Sequence, residues 1–186
     1  MRLGTSLAVA VFALAHAASA QSLPQWTGEL TVGEGRHTAR AGNTLFFDDY
    51  GGLMRVGLSY RITGTGPRAA YVKLDYVTDG DFADNLVCAV TPAGGCYQRF
   101  HAGHGGSTAL GVRQRLVGPL VVGAAAGIGQ YGGSAGGAGV RPYVEGEISL
   151  HVLPHVAVMG LGRYVRWSAG ENTYWVAPLM AGIQIH

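Results

Sequence analysis

The stretch Val140-Arg141-Pro142-Tyr143-Val144-Glu145-Gly146-Glu147-Ile148-Ser149-Leu150-His151-Val152, followed by Leu153-Pro154-His155 and then Val156 to Trp167, decides the fold. One parity of its first half reads Val144, Gly146, Ile148, Leu150 and Val152. The other reads Tyr143, Glu145, Glu147, Ser149 and His151. Side chains alternate across a strand, so an apolar face backs onto one carrying two carboxylates and an imidazole. A short turn joins it to a second strand of similar length. The same alternation recurs along most of the chain and predicts an all-β transmembrane barrel, apolar toward lipid and polar within.

The N-terminus fits export. Arg2 is a basic n-region, Leu7 to Leu14 is an apolar run of signal length, and Ala18-Ser19-Ala20 is a small-x-small cleavage site. Residues 1–20 therefore read as a signal peptide and 21–186 as one barrel domain. No cysteine follows the cut, so a lipoprotein anchor is not indicated. The full chain carries a formal net charge of +2, and loss of Arg2 leaves about +1. That balance gives no basis for charge-driven nucleic-acid binding. No later run of about 20 apolar residues offers a membrane helix. Yet 48% of residues are hydrophobic, only 13% are charged and 31 are glycine. Apolar residues spread over alternate positions suit a closed wall, in which every backbone group is paired.

Strands are predicted near 25–33, 52–62, 69–78, 107–117, 120–130, 140–152, 156–167 and 173–185. Each approaches the roughly 9–11 residues that cross a bilayer at a tilt. Eight is the smallest common barrel size. Thr63 to Arg68, Gly118-Pro119 and Leu153 to His155 form tight turns, whereas 34–51, 79–106, 131–139 and 168–172 read as longer loops. Short turns would face the periplasm and long loops the outside, with both termini in the periplasm.

Charge sets the inward parity, because a charge facing lipid costs roughly 2–4 kcal/mol at the midplane. Glu29, Arg55, Arg61, Lys73, Asp75, Arg113, Arg115, Glu145, Glu147, His151 and Arg163 are assigned to the lumen. Glu145 and Glu147 are expected to pair with Arg113 and Arg115. The alternative is a catalytic carboxylate pair or a gated ion path, but an eight-stranded interior has little room beyond its side chains. Gln114 breaks the outward parity of its strand. Arg163 and Arg166 have opposite parities, which places Arg163 inside and Arg166 at the outer rim. Pro142 and Pro178 each lack a ladder donor. Trp26 and Tyr60 are predicted at the inner membrane interface, and Tyr164, Trp167, Tyr174 and Trp175 at the outer one.

Cys88 and Cys96 are close together in an exported chain and are expected to form a disulfide. Closing so short a loop contributes roughly 2.5 kcal/mol in the chain-entropy model. Asp79-Gly80-Asp81-Phe82-Ala83-Asp84-Asn85 lacks EF-hand spacing, and His101 and His104 lie in a Gly-rich loop. No metal and no cofactor is expected.

The signal, the hairpin rhythm, the loop asymmetry and a last strand ending Ala181-Gly182-Ile183-Gln184-Ile185-His186 together resemble the small outer-membrane barrels of the OmpA/OmpX type. Barrels of that type usually end on an outward aromatic. Here Ile185 takes the outward parity and His186 is an extra residue. The resemblance implies a monomer in the outer membrane of a Gram-negative-type bacterium. Its partners would be outer-membrane lipid, lipopolysaccharide and the barrel-assembly machinery. Some barrels of this size modify lipid A, and the deacylase type uses a His-x-Ser pair. Here Ser168 and Glu171 are present, but Arg166 and Trp167 stand where a base is needed, so no enzyme is expected. Arg36, Arg40, Arg99 and Arg166 could meet lipopolysaccharide phosphates. The preferred expectation is a charge-plugged barrel with a structural or surface-interaction role through loops 34–51 and 79–106. A narrow, porin-like channel or solute carrier is the first alternative, and a lipid A-modifying enzyme the second.

Overall fold

The computed structural model describes residues 22–41, 44–79, 86–89, 95–98, 105–131, 139–169 and 172–186, with side chains over most of that range. Eight long antiparallel strands close on themselves. They are β1 (Trp26–Ala41), β2 (Thr44–Thr63), β3 (Arg68–Asp79), β6 (Gly105–Arg115), β7 (Leu120–Tyr131), β8 (Gly139–Leu153), β9 (Val156–Ala169) and β10 (Asn172–Ile185). Their order around the wall is β1-β10-β9-β8-β7-β6-β3-β2, and β1 pairs with both β2 and β10, so the sheet has no free edge. Two short strands, β4 (Leu86–Ala89) and β5 (Gly95–Gln98), form a separate hairpin between β3 and β6. The eight-stranded barrel expected from alternation is the fold observed.

Alternation decides what faces out. On β2, Met54, Val56, Leu58, Tyr60 and Ile62 are exposed, while Leu53, Arg55, Gly57 and Ser59 are buried. On β8, Val144, Ile148, Leu150 and Val152 face out around Tyr143, Glu145 and Ser149. Trp26 and Tyr60 are directly paired, exposed, and in ring contact at 4.3 Å. Exposed apolar side chains on a wall of this kind are the solvent-facing surface of a protein whose solvent is hydrocarbon.

The turns at one end are tight. Gly64 (φ 89°) sits between β2 and β3, where a Cβ would lie 2.3 Å from the Arg68 carbonyl oxygen. Gly118 (φ 52°) precedes Pro119 between β6 and β7. At the other end the strands run further than expected. The segment 34–51, read as a loop, is mostly a continuation of β1 and β2 around residues 42–43, and 168–172 is largely β9 and β10. Side-chain alternation reports contact with lipid and fades beyond it, whereas the ladder of backbone hydrogen bonds continues.

The irregularities resolve locally. Pro142 is exposed opposite Ile128. Pro178 is paired with Gly35 on its β1 side, and the β9–β10 ladder skips Ala177 and Pro178 without changing register. Gln114 keeps its outward position by accepting a hydrogen bond from Arg68 Nε and donating one to the Arg115 carbonyl at 2.6 Å. Arg166 is exposed and Tyr164 faces out, while the side chains of Trp167, Tyr174 and Trp175 lie outside the described residues. Residues 1–20 also lie outside them. Replacing outward Leu58 near the middle of β2 by Arg is expected to cost about 2–4 kcal/mol of stability, read as the shift in denaturant unfolding of protein refolded into vesicles.

Candidate functional site

The barrel interior is the candidate site. Eight ionised side chains from β1, β2, β3, β6, β8 and β9 meet there: Glu29, Asp75, Glu145 and Glu147 against Arg55, Lys73, Arg113 and Arg163. Six of them alternate in a closed ring. Arg55 Nη1 reaches Glu29 at 2.8 Å, and Lys73 lies 3.8 Å from the same carboxylate oxygen. Lys73 also donates to Glu145. Arg163 joins Glu145 at 2.7 Å to Asp75 at 2.8 Å, and Asp75 returns to Arg55 Nε at 3.3 Å. Glu147 and Arg113 close a second path. Glu147 is 2.7 Å from Lys73, and Arg113 donates to both Glu147 and Glu29. Four anions face four cations, so the eight-residue network carries no net charge.

Neutral groups complete the shell. Ser59 donates to Glu29 at 2.9 Å, and Ser107 donates to Asp75 at 2.5 Å. The Ser107 hydroxyl also lies 3.2 Å from the Tyr143 hydroxyl. Arg163 stacks 4.1 Å over the Tyr143 ring, and Arg113 stands 4.6 Å from the Tyr71 ring centre. Such contacts suit guanidinium, which is weakly hydrated and stacks on aromatic faces. Small residues leave the room. A Cβ on Gly57 would come within 2.9 Å of the Arg55 guanidinium, and one on Gly123 within 2.6 Å of the Glu147 carboxylate. The Gly/Ala inward face of β7 is therefore space for charges from other strands.

The sequence expectations meet this geometry unevenly. Glu29, Arg55, Lys73, Asp75, Arg113, Glu145, Glu147 and Arg163 come together. Arg61, Arg115 and His151 do not join them. Glu145 and Glu147 were expected to meet Arg113 and Arg115, but only the Arg113–Glu147 part of that pairing forms. Arg115, the last residue of β6, bonds the Gly118 carbonyl at 3.2 Å and meets no carboxylate among the described residues. Lys73 and Arg163 take its place, because barrel register brings β3 and β9 to Glu145. The interior is also less ionic than expected. Leu53, Val77, Met159, Leu161, Val165 and Met180 pack with Ala109 and Tyr143 in an inward apolar cluster. The reason is that the buried positions of β9, apart from Arg163, are apolar: Ala157, Met159, Leu161 and Val165.

Sequence reasoning missed Tyr71, Ser107 and Leu23. Tyr71 shares the inward parity of Lys73, and Ser107 that of Arg113, so parity alone could have found these two. Leu23 carried no signal. It precedes β1, is 1% exposed, and packs on Ala69, Tyr71 and Val121 inside the short-turn mouth. Arg61 holds it there by donating to the Leu23 carbonyl and, at 3.0 Å, to Gln25 Oε1.

Little space remains beside the Lys73–Glu147–Arg113 contacts. The cavity touching Tyr71, Lys73, Arg113 and Glu147 measures about 10 Å³, at the lower limit for a single water. Breaking a buried pair leaves its partner desolvated and uncompensated. Glu29→Ala, which takes one carboxylate from Arg55, Lys73 and Arg113 and leaves the buried network with an excess positive charge, is expected to lower stability by about 3–5 kcal/mol. Removal of exposed Glu34 in the same strand should leave the denaturation midpoint nearly unmoved.

No protein-family model matches the chain, and no curated protein matches it. Solved structures do. Neisserial surface protein A matches with a TM-score of 0.52 and 14% identity, over 87% of this chain and 97% of that one. Ail, the attachment invasion locus protein of Yersinia pestis, matches with a TM-score of 0.44 and 12% identity, over 87% of this chain and all of the other. Ail in complex with the heparin analogue sucrose octasulfate matches with a TM-score of 0.39 and 10% identity. The closed ladder, the outward apolar face and the buried charge ring thus belong to a small eight-stranded barrel of the outer-membrane type, resembling Neisserial surface protein A in fold.

Proposed function

We propose that the mature protein, from about Gln21 onward, is a monomeric outer-membrane barrel of a Gram-negative-type bacterium. Its wall is a sealed support, and its work is structural or adhesive, carried by the segments at the long-loop end. The observation that carries this reading is the charge-matched ring, with a cavity of only about 10 Å³ beside Lys73, Arg113 and Glu147. A conducting barrel needs a continuous water path, and a ring of mutually paired charges occupies that path. Catalysis is not part of this reading. Lipid and lipopolysaccharide are its surroundings, and the barrel-assembly machinery is its route into the membrane. Arg36 and Arg166, exposed toward the long-loop end, are the candidates for contact with lipopolysaccharide phosphates.

The longest stretch of sequence between neighbouring barrel strands joins β3 to β6. In its β4–β5 hairpin, Cys88 and Cys96 are directly opposed in the ladder. We infer a disulfide that ties this hairpin in an oxidising compartment. Intact protein is expected to take up no alkylating reagent before reduction and to be modified at both cysteines after it.

Two measurements test the reading. Refolded protein in a planar bilayer is expected to show no stepwise conductance, and a steady ion current would overturn the sealed wall. Deleting residues 81–104 should abolish adhesion of expressing cells to epithelial and abiotic surfaces, while the folded, heat-modifiable band persists on a gel. Unchanged adhesion would remove the role assigned to this insertion.

A further inference from the structure

The lipid-facing wall is not evenly filled. On β3, β6 and β7 three outward rows climb from the short turns. The first is Arg68, Gln114 and Val122, the second Ala70, Val112 and Ala124, the third Val72, Leu110 and Ala126. Ala70, Ala124 and Ala126 are small where the wall around them carries branched side chains. Two hollows mark the deficit. One, about 590 Å³, begins at the turn residues Thr63 and Gly64 and reaches Arg68, Gln114 and Val122. The other, about 500 Å³, reaches Ile62, Leu110, Ala126 and Val144. Both are lined by Ala70, Val112 and Ala124, so they form one trough up the outside of the barrel. Gly146, paired with Ala124 from β8, adds no side chain, and a Cβ there would meet nothing within 4 Å.

The outward side chains along the trough are apolar except at its short-turn end. There Arg68 is exposed and donates through Nε to Gln114 Oε1. Gln114 is itself held, because its Nε2 donates to the Arg115 carbonyl at 2.6 Å. Gln114 therefore fixes the guanidinium at the edge of the trough, which gives this parity-breaking residue of β6 a task. Among the described residues neither Nη group of Arg68 meets an acceptor. Arg68 thus presents two free donors and a positive charge at the polar end of an apolar trough.

Hydrocarbon supplies no hydrophobic force between surfaces within it, so packing and polar contacts decide what rests on a wall there. An unfilled hollow forfeits dispersion contacts along its lining. From Arg68 to Val72 the trough follows about 13 Å of strand, less than half of the ~30 Å hydrocarbon core. An acyl chain of one leaflet fits that length, and the guanidinium fork matches a phosphate at the headgroup level. We propose that this trough binds one glycerophospholipid of the leaflet at the short-turn end, with an acyl chain over Ala70, Ala124 and Ala126 and the phosphate on Arg68. The site rests on the outer-membrane reading above, in which the short turns are periplasmic and that leaflet is the phospholipid one. A second copy of the chain fits less well. Its short-turn end would lie at the same depth and carries no outward Asp or Glu side chain to meet Arg68.

The test uses the full mature protein refolded in maltoside micelles, titrated with palmitoyl-oleoyl phosphatidylglycerol and read by native mass spectrometry. One lipid adduct that saturates ahead of further binding is expected. Arg68→Gln should weaken it about tenfold, the loss expected for a charge-assisted hydrogen bond. Ala124→Leu fills the trough and should weaken it about threefold or more. Ala181→Leu, exposed on β10 and four strands from β6 around the wall, should bind as the parent does. The diacylglycerol with the same chains lacks the phosphate and should bind the parent and Arg68→Gln equally. Soluble glycerol 3-phosphate has the phosphate without the chains and should not displace the lipid. All three substitutions are on the outer surface, and heat-modifiable gel mobility checks that each variant folds. Absence of a preferred adduct, unchanged binding in Arg68→Gln, an equal loss in Ala181→Leu, or displacement by glycerol 3-phosphate would overturn the site. A lipid-free dimer broken by Ala124→Leu would overturn it too, by giving the trough to a second copy. A folded, non-conducting barrel that holds no lipid would remove this site alone and leave the sealed wall standing.

Discussion

The structure depends on the pairing of four buried carboxylates with four buried cations inside a wall whose outside is hydrocarbon-like. Neither group can turn outward, because the lipid face penalises charge, and neither can stay inside alone, because an uncompensated buried charge is costly. The ring Arg55–Glu29–Lys73–Glu145–Arg163–Asp75 satisfies both constraints together and ties five strands by side chains as well as by the ladder. Arg113 and Glu147 bring in a sixth strand. Replacing such a set by well-packed apolar residues can be stabilising in other proteins, so its contribution here is as much to register as to net free energy. A one-residue slip of β8 would send Glu145 and Glu147 into the lipid.

Much of this was legible in the sequence because two independent signals coincide. Period-two alternation gives strands, and charge on one parity gives the inward side. Val144, Ile148 and Leu150 against Glu145 and Glu147 settle both at once. Partner identity was not legible. It depends on the stagger of strands around the barrel, which no single hairpin contains, and so Glu145 meets Lys73 and Arg163 rather than Arg115. The extent of β1 and β2 was misread for a related reason: beyond Val32 and below Leu53 the side chains no longer report lipid, while the backbone pairing continues. The Leu23 stopper could not be foreseen, because its burial depends on how Arg61 turns the entering chain.

The same ring separates the two ends of the molecule. At the long-loop end, strands extend past the apolar band and carry the β4–β5 hairpin. At the short-turn end, cations and imidazoles gather without Asp or Glu side chains. Between them, apolar packing on β9 and β10 and the ionic ring fill the interior. An interior of this kind favours work at the ends over transport through the middle. It gives the external segments a rigid base, and it makes the inner mouth a distinct chemical environment.

The most direct measurement of the central claim is a double-mutant cycle between Asp75 and Arg163, using Asp75→Asn and Arg163→Met alone and together in protein refolded into lipid vesicles. Their guanidinium–carboxylate contact is 2.8 Å and buried. A coupling free energy of at least about 1.5 kcal/mol is predicted, in the range of close charge pairs. Additive losses, with coupling near zero, would show that the interior is held by packing and the ladder, and would contradict the ionic ring as its organising constraint.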